Sequence, residues 1–259
     1  MYQAPYGHGG TFHVIATGEG WTATVEVTVL PADLADGGGP VVARTRTFAI
    51  FWGDPGAWAA DVRPTQEAVL RGLDGSDHLR IAEQYLRGAA AGTSFGGSFS
   101  DPSAPPASPD KADHQTVGAA ACAALQAGGI VPAAGDVAIV YSAASFSPAP
   151  SWCAWHSFFV CGNATLLIAF IPNVKGSYGC LKLGASIGCN TLSDESNAAA
   201  SFAVHELFEA MTDPLLSAWT DAAGEEIGDK CEEPRCIALS TGAFQLQAEY
   251  SNAIHACAP

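Results

Sequence analysis

The stretch that most constrains this chain is Ser201–Cys236, SFAVHELFEAMTDPLLSAWTDAAGEEIGDKCEEPRC. Its first part predicts a helix: Phe202, Leu207, Phe208 and Met211 are apolar, alanine is frequent, and Pro214 forces an end near Thr212. On that helix His205, Glu206 and Glu209 spell His-Glu-x-x-Glu, and residues four apart project from one face toward a common point. Polar pairs at that spacing are ordinary on a solvated face. Here Phe202, Val204, Leu207 and Phe208 flank the motif on several sides, so much of the helix is expected to be buried. A buried imidazole beside two carboxylates requires a cation or hydrogen-bonding partners, so the fold has to bring further groups to this helix.

The pattern differs by one residue from the His-Glu-x-x-His of zinc peptidases, in which both histidines bind zinc and the glutamate works on metal-bound water. Glu209 stands where the second histidine would be, and a carboxylate oxygen is an acceptable zinc ligand. The segments Trp219–Asp221 and Gly224–Cys231 supply more carboxylates within reach of a returning loop. Asp229 is separated from Glu209 by nineteen residues, close to the spacing at which one class of zinc peptidases supplies its third ligand. The expected metal ligands are therefore His205, Glu209 and a later carboxylate, Asp229 first and Glu226 second, with Asp221 and Asp213 behind them. One imidazole and two carboxylates would blunt the ion's power to acidify water relative to a three-histidine site, which predicts weak or slow hydrolysis.

His205-Glu206-x-x-Glu209, Asp213-Pro214, Trp219 and Glu226-Ile-x-Asp229-x-Cys231 together resemble the phosphate-induced protein 1 family, the EXORDIUM-like extracellular proteins of plants with bacterial relatives. Gly39-Pro40 before a strand ending Phe51-Trp52-Gly53, Cys153-x-x-His156, and Tyr250-Ser-Asn252 with Cys257 agree with it. The likeness covers about residues 38–259 and is densest from 201 to 236. Plant members often carry asparagine at the position of Asp213, which argues against Asp213 as an obligatory ligand. The resemblance implies compartment, fold and site rather than a reaction. It also implies a functional place for His156, expected to polarise a substrate carbonyl or to donate to a leaving group. His8, His13, His78, His114 and His255 have no comparable surroundings, and no Gly-x-Ser-x-Gly elbow accompanies Ser157 or Ser201, which disfavours a serine hydrolase.

With 48% hydrophobic residues in 259, the chain can bury a substantial core. Its 26 acidic against 11 basic residues, net −15, disfavour nucleic acid and anionic membranes and favour bound cations or a cationic partner. Eight cysteines suggest disulfides and an oxidising compartment, and their spacing does not form a doubled Cys-x-x-Cys. Proximity predicts the pairs Cys153–Cys161, Cys180–Cys189 and Cys231–Cys236, leaving Cys122 to Cys257. Residues Met1–His8 have neither a basic start nor an apolar run, so the chain is expected to follow a cleaved leader and the protein to be secreted. No segment is apolar for long enough to span a membrane: the richest, Phe158–Pro172, is interrupted at Cys161-Gly-Asn163.

Residues 1–40 are expected to form an N-terminal β arm or hairpin strand, with an alternating strand at Trp21–Leu30 that can pair with a second at Val41–Trp52. Residues 41–259 are expected to form one zincin-like domain. Helices are predicted at Pro64–Leu73, Asp77–Arg87 and Asp110–Gln126, strands at Asp136–Tyr141, Leu166–Ile171 and Ala243–Tyr250. Ala89–Pro109 reads as a long loop, and Phe146–Gly162 as irregular because of Pro148, Pro150 and its cysteines. The order suits an α+β fold of zincin-like type: a mixed β-sheet, a metal-binding active-site helix and disulfide-stapled loops. The expected function is a secreted zinc metallopeptidase cleaving peptides or proteins, with Glu206 as general base. The alternative is a non-catalytic extracellular or cell-wall-associated protein with a structural metal site.

Overall fold

The computed structural model describes residues 10–29, 32–146 and 152–259. Met1–His8, Leu30, Pro148 and Pro150, on which some expectations above fall, lie outside them. The chain opens with an antiparallel hairpin, β1 (Gly10–Gly18) and β2 (Trp21–Val29), closed by Glu19-Gly20 with Gly20 at φ +77°. A two-residue turn of matching twist needs that left-handed conformation, and glycine adopts it without strain. The pairing of Trp21–Leu30 with Val41–Trp52 does not occur. The second strand, β4 (Arg44–Trp52), reads Phe48-Ala-Ile-Phe-Trp52 and is buried on both faces, which fits the middle of a parallel sheet rather than a half-exposed hairpin. Between them β3 (Ala35–Asp36) pairs with β9 (Trp219–Thr220), so the segment after the hairpin is stitched to the loop that follows the site helix.

The main sheet has five strands in the order β5-β4-β6-β8-β7. Here β5 is Gly92–Asp101, β6 Asp136–Ser145, β7 Trp155–Cys161 and β8 Ala164–Asn173. All neighbours run parallel except β7, which returns antiparallel along β8 as the edge strand. Two of these strands lie where irregular chain was expected. Strand β5 is rich in glycine and serine and has little pattern of its own. It is held by its ladder to β4, and Gly96 leaves room for Phe48, whose ring lies 2.3 Å from where a Cβ would be. Strand β7 likewise borrows order from β8.

Alternating residues send the sheet's side chains into two cores. Ala49, Phe51, Ile139, Tyr141, Ala169 and Ile171 face α1 (Val62–Gly72) and α4 (Asp194–Thr212), whereas Phe48, Ile50, Val140, Ile168 and Phe170 face α2 (His114–Ala127). The predicted helix at 77–87 is a 3-10 segment, Leu79–Tyr85. Short α3 (Tyr178–Leu181) precedes α4, and after β9 the chain forms two small antiparallel pairs. These are β10 (Pro234–Leu239) with β11 (Gly242–Gln247), and β12 (Glu249–Ser251) with β13 (Ala256–Ala258). Among the described residues no helix is long and apolar enough to cross a membrane. The protein is thus a mixed α+β fold with helices on both faces of one sheet.

All eight cysteines are paired, but none in the expected way: the bridges are Cys122–Cys161, Cys153–Cys180, Cys189–Cys236 and Cys231–Cys257. For Cys153 and Cys161 local pairing fails because the chain between them is extended. Cys153 and Cys161 lie near opposite ends of β7, about 26 Å apart at ~3.3 Å per residue, whereas a disulfide needs Cα atoms within about 7 Å. The bridges join distant segments instead, the partners' residue numbers differing by 26 to 47.

Candidate metal centre

The helix that carries the motif is longer than the apolar pattern alone predicts. Ser193 caps it by accepting a hydrogen bond from the Ser196 amide, and Asp194 and Glu195 place negative charge in its first turn, where the helix dipole favours it. From residue 196 to 212 only His205 is not fully buried. The helix therefore runs through the core with its polar face turned into a cleft of about 370 Å³, bordered by Trp152, Trp155, Phe202, Leu216 and Gln247.

The expected ligands converge in that cleft. His205 Nε2 lies 3.0 Å from Glu209 Oε1 and 3.7 Å from Asp229 Oδ1. From the edge strand, His156 places Nδ1 3.2 Å from Glu209 Oε2 and 3.5 Å from Glu206 Oε2, and Nε2 3.7 Å from Glu226 Oε1. Two triads of possible donors result, His205–Glu209–Asp229 and His156–Glu209–Glu226, sharing the Glu209 carboxylate. The 226–229 loop is set by its own hydrogen bond, Glu226 N–H donating to Asp229 Oδ2. The lesser candidates are occupied elsewhere. Asp213 accepts from the Ser217 and Ala218 amides at the helix end, and Asp221 holds the buried Lys230 ammonium at 2.6 Å.

Charge in the cleft is unbalanced. Burial by itself would strip the proton from both imidazoles. It is outweighed at His156 by the carboxyl groups of Glu206 and Glu209 close to its ring, and at His205 chiefly by Glu209, so both stay well above the ordinary histidine value. Burial lifts Glu206 to about 7 and, with Glu209 adding to it, Glu226 to about 9. Asp229 is raised by burial and by Glu209. Glu209 goes the other way: burial would raise it too, but His205 and His156 overcome that and hold it well below the carboxylate range. Four carboxyl groups share two imidazoles, and only Glu209 is compensated.

This arrangement fits a bound divalent ion. Glu206 Oε2, Glu209 Oε1 and Glu226 Oε1 are buried without a hydrogen-bond partner among the described residues, which folded proteins rarely tolerate. The 3.0 Å approach of His205 Nε2 to Glu209 Oε1 is close yet not aligned as a hydrogen bond, as expected of two ligands aimed at a common third point. Imidazole nitrogen plus carboxylate oxygen is a donor set that zinc accepts.

One residue at the site escaped the sequence reading. Glu249, at the start of β12, is fully buried, with both carboxyl oxygens unpartnered among the described residues and its pKa pushed well up by burial. The only signal for it was its spacing two residues beyond Gln247, on the same side of an extended run. Compared with known proteins, the chain matches no family model, no curated protein and no solved structure.

Proposed function

We propose that the protein is an exported, zinc-dependent hydrolase of zincin-like type that cleaves peptide bonds in extended protein segments. The observation that carries the reading is the convergence on one buried helix of His205, Glu209 and, from the 226–229 loop, Asp229, with an unpartnered Glu206 carboxylate oxygen beside them. His205, Glu209 and Asp229 would hold the ion, with Glu226 across the shared Glu209 carboxylate. Zinc bound there would supply Lewis acidity, polarising a carbonyl and making water a better nucleophile.

The chain's own groups do the rest. Glu206 follows His205 by one residue, so it points about 100° away around the helix and stands beside the ligand set rather than within it. Its carboxylate takes a proton from attacking water and returns it to the leaving amine. His156 has both ring nitrogens engaged: Nε2 lies 3.2 Å from the backbone oxygen of Asp213, to which it donates, while Nδ1 faces Glu209 and Glu206. It therefore positions the two carboxylates. This differs from the direct contact with substrate read from the sequence. Strand β7 is the sheet edge beside the cleft, and an edge strand offers backbone groups to an extended chain, which favours peptide as the substrate.

Four disulfides support an exported protein, and the phosphate-induced protein 1-like motifs at His205–Glu209 and Glu226–Cys231 agree with it. The test compares zinc content, thermal stability and cleavage of a peptide library for wild type, His205→Ala and Glu206→Gln. His205→Ala is expected to lose zinc. Glu206→Gln is expected to keep zinc and stability while losing cleavage by two to four orders of magnitude, about what an essential general base contributes. Zinc bound at full stoichiometry by a wild type that cleaves no peptide would instead make the centre structural, as in a non-catalytic EXORDIUM-like protein.

A further inference from the structure

The cleft holds more donor groups than one ion can use. Zinc takes about four ligands, and His205, Glu209 and Asp229 with one open position already fill that number. A second imidazole nevertheless enters from strand β7. One ligand atom from each of His156, Glu209 and Glu226 lies within 4.8 Å of the others, as is true of His205, Glu209 and Asp229. The two groups share only Glu209, and they approach different oxygens of it: Oε1 is 3.0 Å from His205 Nε2, and Oε2 is 3.2 Å from His156 Nδ1. A carboxylate that turns each oxygen to a different imidazole is placed to bridge two ions. His156 is also oriented as a ligand is. Its Nε2 donates to the Asp213 backbone oxygen at 3.2 Å, the kind of acceptor to which metal-bound histidines give their second N–H. In a neutral ring this leaves the Nδ1 lone pair aimed at two carboxylate oxygens, Glu209 Oε2 and, at 3.5 Å, Glu206 Oε2. Glu206 is only 3% exposed, and that oxygen has no hydrogen-bond partner among the described residues; nor has Glu226 Oε1. Buried lone pairs that converge in this way call for a cation among them.

We propose that the cleft binds two divalent ions, the second held by His156, Glu209 and Glu226, with Glu209 bridging to the first. This rests on the metal reading of the same centre and extends it: His156 positions its carboxylates while one ion is bound and becomes a ligand when the second enters. Formal charge agrees. One divalent ion offsets Glu209 and Asp229 and leaves the carboxylates of Glu206 and Glu226 beside it, whereas a second brings the four to neutrality. Glu206 remains the base. Its Oε1 is 4.0 Å from His205 Nε2 and its Oε2 faces His156, so it stands between the two positions.

The experiment strips the full chain with chelator and reloads it with zinc, as wild type, His156→Ala and Glu226→Gln. It reads zinc bound per chain by elemental analysis, affinity by chelator competition, and the zinc–zinc separation by X-ray absorption. Wild type is expected to bind two ions separated by about 3.5–4 Å, the spacing of ions that share ligands. His156→Ala is expected to bind one, with no zinc–zinc signal. Glu226→Gln should hold the second ion more weakly by roughly tenfold or more, at least what the loss of a ligand's outer partner costs. One zinc per wild-type chain at saturation would overturn the proposal and leave the single-ion centre standing. Two without the short separation would overturn it as well, because the second ion would then lie elsewhere, and so would two retained by a folded His156→Ala. Should that variant not fold, the wild-type count and separation decide. A wild type that takes up no zinc would strike the single-ion centre and this proposal together.

Discussion

Glycine 228 shows how closely the centre is built at the level of single residues. Three atoms of the His205 ring lie within 2.7 Å of the point where a Cβ at this position would be, so a methyl group has no room unless the ring or the loop moves. Gly228→Ala is expected to turn His205 off the Glu209–Asp229 direction and to weaken zinc binding at least tenfold, with a modest loss of stability. Metal titration of the purified variant checks this, and undiminished affinity would show that the ring is not held there. His205, Glu206 and Glu209 were legible in the sequence because helical periodicity fixes which side chains share a face. Asp229 stood out as a candidate by its spacing from Glu209 and both it and Glu226 by the Glu226-Ile-x-Asp229-x-Cys231 motif. Glu249 was not legible, because its full burial is set by the folded core and by no pattern in the sequence.

Among the elements, α4 is held from both ends by different means. At its start Ser193 caps the Ser196 amide and also binds Asp61 at 2.7 Å through both its amide and its hydroxyl, linking the N-termini of α1 and α4. Ser193→Ala is expected to cost about 1–2 kcal/mol, seen as a Tm lower by about 2–6 °C. Zinc affinity should be unchanged, because His205 sits about 18 Å further along the helix at ~1.5 Å per residue. Thermal melts and zinc titration of that variant test both halves. Helices α1, α2 and α4 and the buried strands β4, β6 and β8 were readable because their apolar patterns are strong. In the main sheet the two strands missed, β5 and β7, are those whose order comes from a neighbour: Gly96 and Ser98 carry no pattern, and the Cys153–His156 approach gives no sign of an antiparallel return.

At the scale of the whole molecule, a buried imidazole away from the cleft adds a pH-sensitive load. His78 is buried against the Phe208 ring, 5.0 Å between centroids, and burial pushes its pKa down to about 4, against a weaker opposing contact with the Pro259 backbone. The unfolded chain therefore takes up a proton at this residue before the folded one does. Its contribution is complete above pH ~6.5 and is lost as pH falls toward 4, up to about 3 kcal/mol for a shift of roughly 2.5 units. Urea unfolding of wild type and His78→Leu at pH 7 and 4.5 isolates that part. The wild type should lose about 2–3 kcal/mol more than the variant on acidification, and equal losses would contradict it. The largest misreading also belongs to this scale. Cysteine spacing carries no information about which extended segments the sheet separates, so all four bridges were assigned to the wrong partners.

Those bridges bear on when the centre can exist. Its parts arrive in chain order, His156 on the edge strand, His205 to Glu209 on the helix, and Glu226 to Asp229 on the loop. The loop is clasped by Cys231–Cys257, and the segment before the helix by Cys189–Cys236. A chain emerging N-terminus first from a ribosome or an export channel thus passes its motif helix into the open well before the loop can be locked. The cross-link that clasps the loop has to wait for Cys257, two residues from the end of the sequence, so the motif helix is made long before the loop beside it can be covalently fixed.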